Sequence, residues 1–421
     1  MQLIAYGAQD IYLTGQPQIT FFKSVYRRHT NFAMESIEQS VYGSIGFDNS
    51  VSLVITRNAD LLKKIWIQYS PAQMLSGATN GTAVTANLGH SMVDHVDILI
   101  GGQLIDRQYG KWMTIWNYLT DNNNSGTQGP IDNNCYGPGE QLVGGDSASN
   151  TYTPRPTKYN RMSYTHKGNT NIQNNDGAPM YAYVPLQFWF CRNPGLAIPL
   201  IALQYHEVRL NIQFGSYTGI CSGIATGTEF QGFTIYADYV YLDTTERRQF
   251  AQNAHEYLID QVQVISNNTN PVARLSFIHP VKELIWTPVP DPIVTSSSVS
   301  GPSSPASGFY RTTPSQANNY KIILNGTDIF TERDITYFTR NQVSDYHTGF
   351  GSVMFPDSIA VYSFGIRPEE HQPSGTCNFS RIDTAYLSRT NTMPVDVIDI
   401  YATNYNVLRI MSGMGGLAYS N

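Results

Sequence analysis

Two runs of acidic and basic residues have the types needed to bind a metal ion, and neither has the spacing that such a site requires. His206-Glu207 starts like the helix of a zinc protease, but Leu210 stands where the second histidine would be. The alternating residues around it predict a strand instead. Glu369-Glu370-His371 offers cation ligands, but it lies between prolines and is typical of a solvated charge run. We therefore predict no metal site.

The remaining candidates for catalysis are equally incomplete. Asp97 and Asp106 flank a predicted hairpin and could act as paired carboxylates, as in glycosidases, although polar residues are common at hairpin ends. The glycine-rich run at 413–416 is not followed by the Lys-Ser/Thr of a phosphate-binding loop, and the motif Gly-x-Ser-x-Gly does not occur. The cysteines are widely scattered, without metal-ligand spacing, at Cys135, Cys191, Cys221 and Cys377. The sequence therefore predicts a protein that is not an enzyme, with no cofactor and with no catalytic, cofactor-binding or metal-binding residue.

The strongest local signal is a hairpin that occurs twice. Residues 97–106 place two apolar strand ends around Gly101-Gly102, and residues 322–330 do the same around Asn325-Gly326. Both dipeptides supply the positive φ angles of a tight two-residue turn. Gly102 and Gly326 lie 224 positions apart. This spacing indicates that a whole domain is repeated.

Other short matches support the repeat. They are Ile37-Glu38-Gln39 with Ile259-Asp260-Gln261 at 222 positions, Ile65-Trp66 with Ile285-Trp286 at 220, and Ile235-Tyr236-Ala237 with Ile400-Tyr401-Ala402 at only 165. The shorter last offset means that the first half holds about 59 extra residues, which a surface loop accommodates because closure entropy grows slowly with length. The alternative is two unrelated all-β domains that share common strand dipeptides.

The composition favours sheets joined by polar turns. Of 421 residues, 12% are aromatic and only 14% are charged. A net charge of −6 argues against non-specific binding of nucleic acid, and the local basic cluster at residues 23–29 is interpreted as solvated. The longest apolar run, about Leu196 to Leu203, is far shorter than the roughly 20 residues that span a bilayer. The N-terminus lacks the features of a secretion signal.

We predict an all-β chain of two tandem eight-stranded antiparallel jelly rolls with a few short helices in loops. The predicted layout is an N-terminal arm at 1–24, a first jelly roll at 25–243 with a long insertion at about 121–180, a linker helix at 244–254 and a second jelly roll at 255–421. Asp243 and Glu246 would form a capping box for the linker helix. A further helix is predicted where Trp112, Ile115, Trp116 and Leu119 share one face, with its tryptophans in the core. An immunoglobulin-like sandwich is the nearest competing fold.

Longer strings carry a resemblance to a known family. They are Gly7-Ala8-Gln9-Asp10-Ile11-Tyr12-Leu13-Thr14-Gly15, Pro17-Gln18-Ile19-Thr20-Phe21-Phe22-Lys23, Tyr26-Arg27-Arg28-His29-Thr30-Asn31-Phe32, Pro199-Leu200-Ile201-Ala202-Leu203-Gln204-Tyr205-His206-Glu207-Val208, Pro373-Ser374-Gly375-Thr376-Cys377-Asn378-Phe379-Ser380-Arg381-Ile382-Asp383, and the segment from Asn404 to Gly416. With these, the chain resembles the major capsid proteins of nucleocytoplasmic large DNA viruses, in particular those of chloroviruses and related algal viruses. The resemblance covers nearly the whole chain except loops near 120–180 and 288–318.

The resemblance implies a double jelly-roll capsid protein that forms pseudo-hexagonal homotrimeric capsomers of an icosahedral shell. It also implies contacts with neighbouring capsomers and with penton and minor capsid proteins, and an inner viral membrane nearby without membrane insertion. No direct contact with nucleic acid is expected. The location would be the virion, after synthesis and assembly in the host cytoplasm. Family members carry surface glycans, but we assign no glycosylation site to any of the five Asn-x-Ser/Thr triplets in this chain.

A second class of function stays open at this point. A β-sandwich enzyme or lectin could bind carbohydrate through exposed tyrosine or tryptophan rings. For a shell subunit, we expect the capping loops and the N-terminal arm, rather than the sheet faces, to make the contacts between copies.

Overall fold

The computed structural model describes residues 7–74, 82–84, 88–121, 158–164, 169–172, 180–216, 221–222, 230, 232–288, 319–349, 351, 359–390 and 397–419. Most of the insertion predicted at 121–180 and most of the Pro/Ser-rich segment near 288–318 lie outside these residues.

The first set of strands runs from residue 32 to residue 242. These strands are β1 (Phe32–Gln39), β2 (Tyr42–Gly43), β3 (Ser50–Val54), β4 (Leu61–Tyr69), β5 (Thr82–Val84), β6 (Val93–Ile100), β7 (Gln103–Tyr109), β8 (Asn169–Ile172), β9 (Ala182–Pro185), β10 (Ile198–Pro199), β11 (Val208–Phe214), β12 (Cys221–Ser222) and β13 (Thr234–Leu242). We call β1–β13 the first jelly roll.

The second set forms the second jelly roll. Its strands are β14 (His255–Asn268), β15 (Val272–Arg274), β16 (Pro280–Pro288), β17 (Asn319–Leu324), β18 (Thr327–Asp328), β19 (Arg333–Asp334), β20 (Ala360–Ser363), β21 (Cys377–Asn378), β22 (Ala385–Thr390), β23 (Ile398–Met411) and β24 (Met414–Leu417).

Short helices connect these strands. They are α1 (Ile11–Thr14), α2 (Pro71–Met74), α3 (Leu88–Ser91), α4 (Gly110–Thr120), α5 (Lys158–Ser163), α6 (Trp189–Arg192), α7 (Thr244–Gln252) and α8 (Gln342–Tyr346), with single helical turns at Pro194–Leu196, Tyr337–Asn341 and Phe379–Arg381. Helix α7 lies between β13 and β14. The predicted capping box is not formed, because the Asp243 side chain makes no capping hydrogen bond.

Both jelly rolls have the same strand order. One principal sheet of the first runs β1-β13-β4, with β9 and β10 on the far edge of β4, and the other runs β2-β3-β11-β6-β7. Strands β12, β5 and β8 form a separate small sheet. The second has β14-β23-β16, with β20 and β21 on β16, and β15-β22-β17, with β18 and β19 on β17. With the eight principal strands of each roll numbered along the chain, both orders are 1-8-3-6 and 2-7-4-5. Pairing of early with late strands is the jelly-roll arrangement, so that prediction is confirmed and the immunoglobulin-like alternative is wrong.

The two predicted hairpins occupy the same place in each roll, between strands 4 and 5. Gly101 and Gly102 have φ of 59° and 85°, and Asn325 and Gly326 have φ of 50° and 77°. Ile100 pairs with Gln103 across the first turn, and Leu324 pairs with Thr327 across the second. Positive φ at both central residues is the turn that matches strand twist, so these hairpins were predictable from local sequence.

In two of the other sequence matches, the matched residues do not occupy equivalent positions in the strand pairing. Trp66 lies opposite Tyr236, whereas Ile285 lies opposite Tyr401, so Trp66 is equivalent to Ile285 and not to Trp286. A shift of one residue turns a side chain to the other face of the sheet. Accordingly, Ile65 and Trp286 are both buried in the cores of their own rolls. The match of 37–39 with 259–261 is also out of register, since Gln39 faces Ile235 but Gln261 faces Asn404.

Connections of very different length collect at opposite ends of the sandwiches. The turns that follow β3, β6, β15, β17 and β21 are short and lie at the end where β1 and β14 begin. The strand ends joined by the connections from β4 to β6, β7 to β9, β16 to β17 and β19 to β20 lie at the other end, and these connections are much longer in sequence. Long loops at one end can change without disturbing the packed strands.

Candidate functional site

The two carboxylates that flank the first hairpin do not meet. Asp97 pairs across the sheet with Arg107, and Ile98 pairs with Asp106, so the two aspartates lie on opposite faces. Asp97 accepts two hydrogen bonds from Arg107, of 2.6 and 2.7 Å. Asp106 is buried and accepts hydrogen bonds from the backbone N–H of Val262 and from Gln108. These contacts exclude a glycosidase-like pair, and they show Asp106 joining the first roll to β14.

His206 lies against the C-terminal hairpin of the chain. Its Nδ1 is 3.1 Å from the backbone N and 2.9 Å from the backbone O of Gly415. The backbone N–H of Tyr205 donates to the carbonyl oxygen of Gly413 at 2.9 Å, and Gln103 Oε1 accepts from the backbone N–H of Leu417. The glycine-rich run therefore joins the second roll to the first, and it does so through its backbone.

The Glu369-Glu370-His371 run is part of a closed polar network. His347 is buried between Glu369, at 3.0 Å from Nδ1, and Glu283, at 3.0 Å from Nε2. Burial by itself lowers the pKa of His347, but the carboxylates of Glu283 and Glu369 outweigh it and raise the pKa to about 9. A charged imidazole thus bridges two carboxylates, which leaves little capacity for a metal ion.

This network adjoins the C-terminus of α4. The hydroxyl of Thr348 donates to the carbonyl oxygen of Thr120, and the backbone N–H groups of Gly349 and Gly351 donate to Leu119 and Tyr118. The last turn of an α-helix leaves carbonyl groups without intrahelical partners. Here the second roll satisfies them, so the network helps to hold α4 of the first roll in place.

Helix α4 has the predicted apolar face, but that face does not enter the core of its own roll. Trp112 and Trp116 are 1% and 5% exposed, and they pack with Ile115 and Leu119 against the outer face of a sheet of the second roll. That face contributes Val262, Val264, Ile285, Val361 and Tyr401. The Trp112 and Tyr401 rings lie 5.5 Å apart. The tryptophans are therefore buried between the two rolls, which the periodicity of α4 alone did not indicate.

A buried charge cluster lies beside this apolar contact. Arg192 on α6 reaches Asp260 on β14 at 3.3 Å, and its guanidinium lies 4.7 Å from the centre of the Trp116 ring. Lys282 approaches the other oxygen of Asp260 at 3.6 Å. Although burial by itself raises the pKa of Asp260, nearby His371, Arg192 and Lys282 hold it below the ordinary value. The cluster thus contributes charge pairing to the contact between the rolls.

The sequence did not single out Arg192, Asp260, Lys282 or His347 as members of one site. They are far apart in the chain, and none stands in a recognised motif. The one available signal is that charged residues interrupt strands that are otherwise apolar, as Lys282-Glu283 does in β16. Such interruptions occur where a buried charge has a partner.

Ligand-binding features are few among the described residues. No group of three or more metal-ligating side chains is present in this part of the chain. Over the same residues, no helix is both long and apolar enough to cross a membrane. A cleft of about 380 Å³ beside α7 is lined by Leu61, Pro194, Gly195, Ala197, Gln249, Phe250, Asn253, His255 and Tyr257. This lining has no carboxylate, so the cleft does not fit a glycoside-hydrolysing site.

Comparison with known proteins agrees with the fold. Residues 20–243 match the family described as the N-terminus of the major capsid protein, and residues 246–416 match the family of large eukaryotic DNA virus major capsid proteins. The chain is 43% identical to the major capsid protein of Pyramimonas orientalis virus over 100% of this chain and 99% of that protein. It is 38% identical to the major capsid protein of Paramecium bursaria Chlorella virus 1 over the same shares.

Solved structures show the same likeness. The quasi-atomic model of the PBCV-1 virus capsid matches with a TM-score of 0.72 and 34% identity, covering 96% of this chain and 100% of that chain. The Faustovirus major capsid protein matches with a TM-score of 0.62 at 13% identity, covering 96% of this chain and 94% of that one, which concerns the fold alone. The chain belongs to the major capsid protein family of large eukaryotic DNA viruses: it is a structural protein of the virion and not an enzyme.

Proposed function

We propose that three copies of this chain form a pseudo-hexagonal capsomer, and that capsomers tile an icosahedral shell. Two jelly rolls of the same strand order in one chain give six similar lobes in a trimer, so a threefold unit fills a sixfold position. The observation that carries the proposal is the contact of α4 with the second roll, because it joins two equivalent lobes side by side. Neighbouring capsomers would then meet through self-association of the same chain.

The layout along the chain fits this proposal. We place an arm at 1–24, the first jelly roll at 25–243, the linker helix at 244–254 and the second roll at 255–421. The family matches at 20–243 and 246–416 support a division near the linker. The end with long loops would face outwards, and the end with short turns would face the interior of the shell.

The N-terminal arm has the character of a tie between subunits. Every residue from 11 to 24 is exposed, and the large apolar side chains include Tyr12 at 91%, Phe21 at 90% and Phe22 at 98% exposure. Exposed apolar side chains in such a concentration mark an interaction site. The arm leaves β1 at the end with short turns, so its partners would include penton and minor capsid proteins at the inner side of the shell.

The wider setting follows from the same reasoning. The proposed place of action is the virion capsid, after synthesis and assembly in the host cytoplasm. An inner viral membrane would lie nearby without insertion of this chain. The net charge of −6 supports a capsid subunit that makes no direct contact with nucleic acid.

The mass in solution tests this proposal. If the protein is a trimer of the 47.0 kDa chain, light scattering should give a mass of about 141 kDa. A protein that remains monomeric over the accessible concentrations, with or without the arm, would contradict the proposed capsomer.

A further inference from the structure

One sheet face of the first jelly roll is open, whereas its equivalent in the second roll is covered. Tyr401 and Ile285, on the outer face of the second roll, are 2% and 0% exposed beneath α4. By register, their equivalents in the first roll are Tyr236 and Trp66, which are only half-buried. Tyr183, beside them on β9, is 36% exposed. We call these three residues the aromatic face.

The three rings of the aromatic face pack against one another. Trp66 stacks on Tyr236 with ring centres 4.4 Å apart and planes 12° apart. Tyr183 meets the Trp66 ring edge-on at 5.4 Å. Trp66 Nε1 donates to Asp238 Oδ1 at 3.0 Å, which fixes the orientation of the indole ring. Such a preorganised surface loses little side-chain entropy when a partner covers it.

The second roll also has a counterpart of α4. The turn Tyr337–Asn341 and helix α8 follow strand 5 of the second roll, as α4 follows strand 5 of the first. Phe338 is buried in the core of the second roll and Val343 in the cluster that contains α4, whereas Arg340, Asn341 and Ser344 are exposed. We call Tyr337–Tyr346 the second helix. It thus has an exposed side, whereas the matching side of α4 is covered by the neighbouring roll.

We propose that the second helix of one copy docks on the aromatic face of the next copy and so repeats between chains the contact that α4 makes within one chain. The inference rests on the proposed capsomer. Each copy would donate one helix and accept another. Head-to-tail contacts of this kind close into a ring when the rotation allows it. Three such contacts would alternate with three internal ones around the trimer.

The chemistry of the two sides fits a mixed contact. Glu38 and Asp238 lie beside the aromatic face, and Arg340 lies on the exposed side of the second helix. We therefore expect ring stacking together with charge pairs, and a more polar contact than the one made by α4. This differs from the expectation that loops and the arm alone join the copies, because a sheet face takes part.

Single substitutions on each side test the contact. Ser36 is exposed on β1, where it faces Asp238, and its equivalent Val262 is buried in the cluster that contains α4. Ser36→Arg should prevent trimer formation, as should Ser344→Arg on the second helix. Ser50→Arg is the matched control, since Ser50 is exposed on β3 in the other sheet of the first roll. Circular dichroism shows whether each variant is folded, and light scattering gives its mass.

Mixing the two variants gives a sharper result. One variant keeps its helix and the other keeps its face, so a mixture should form a pair of about 94 kDa that neither forms alone and that cannot close into a ring. The inference is overturned if folded Ser36→Arg or folded Ser344→Arg still forms trimers like the wild type and Ser50→Arg. It is also overturned if mixing yields no pair. A wild-type chain that stays monomeric would instead refute the capsomer itself.

Discussion

His206 Nδ1 lies 3.1 Å from the backbone N of Gly415, which brings residues 209 positions apart into contact across the two jelly rolls. Packing, as well as backbone conformation, favours glycine in this hairpin. A Cβ atom on Gly415 would lie 2.7 Å from the Leu203 side chain, and one on Gly413 would lie 2.6 Å from the Tyr205 ring. The second roll therefore depends on glycine to approach the first.

Gly413→Ala should destabilise the protein more than Gly102→Ala does. Both glycines have positive φ, of 81° and 85°, so both substitutions carry a backbone cost of about 1–2 kcal/mol. A Cβ on Gly102 meets nothing within 4 Å, whereas one on Gly413 meets Tyr205. We expect an extra loss of about 1 kcal/mol or more for Gly413→Ala in chemical unfolding. Equal losses of stability for the two variants would show that close packing of Gly413 against Tyr205 does not matter for stability.

Arg192→Ala should cost far more stability than Arg409→Ala. Arg192 pairs with Asp260, which is almost wholly buried, whereas Arg409 pairs with Glu256 in solvent. Removal of one partner from a buried pair typically costs about 3–5 kcal/mol, and exposed pairs contribute about 0–1 kcal/mol. Here Lys282 also faces Asp260, so we expect a loss at the lower end, near 3 kcal/mol. Denaturant unfolding of both variants measures the difference, and similar small losses would mean that Lys282 alone is a sufficient partner.

Some of this architecture was predictable because its causes are local. Gly101-Gly102 and Asn325-Gly326 require positive φ, so the hairpins and their repetition followed from neighbouring residues. The periodic apolar residues from Trp112 to Leu119 predicted a helix, and the observed α4 spans Gly110–Thr120. Neither signal shows which surface covers the apolar side. The burial of Trp112 against Tyr401 is a contact between distant strands, so it needed the fold.

Strand register is the main reason why residues matched in sequence between the two rolls are not structurally equivalent. Ile65-Trp66 and Ile285-Trp286 are identical dipeptides, yet they point to opposite faces of equivalent strands. A strand that is covered on both sides can carry apolar side chains on both faces. The apolar pattern of β16 therefore does not show which face lies in the core of its own roll and which lies against α4. The buried charges near Asp260 were missed for a similar reason, since their pairing depends on distant segments.

The folded protein should become less stable at high pH because His347 loses its proton. The folded-state pKa of about 9 exceeds the ordinary value of 6.5, so the group stabilises the fold fully below about pH 6.5 and loses this contribution as the pH rises through 9. The loss is on the order of 1.4 kcal/mol per pH unit within that window. Unfolding of the wild type between pH 6.5 and 9.5 measures it. His347→Gln should flatten this slope, and an unchanged slope would assign the effect to other groups.

The folded protein should also lose stability at low pH, because buried His90 resists protonation. His90 is fully buried beneath α4, where Nδ1 lies 2.9 Å from Thr114 Oγ1 and Nε2 lies 2.9 Å from the Tyr159 hydroxyl. Burial lowers the pKa of His90 to about 3, below the ordinary 6.5. The unfolded chain therefore binds a proton that the folded chain does not, and stability falls as the pH drops from 6.5 towards 3.

The test separates this histidine from the titration of carboxylates. His90→Gln keeps an uncharged side chain with a donor and an acceptor, so it should lower stability at pH 7 but reduce the loss between pH 6.5 and 4.5. His29→Gln is the control, because His29 is exposed in the segment before β1. Asp106 titrates near this window, because burial raises its pKa to about 7, but it is present in both proteins and cancels from the comparison. If His90→Gln and wild type lose stability in parallel over this range, protonation of His90 does not limit the acid stability of the first jelly roll.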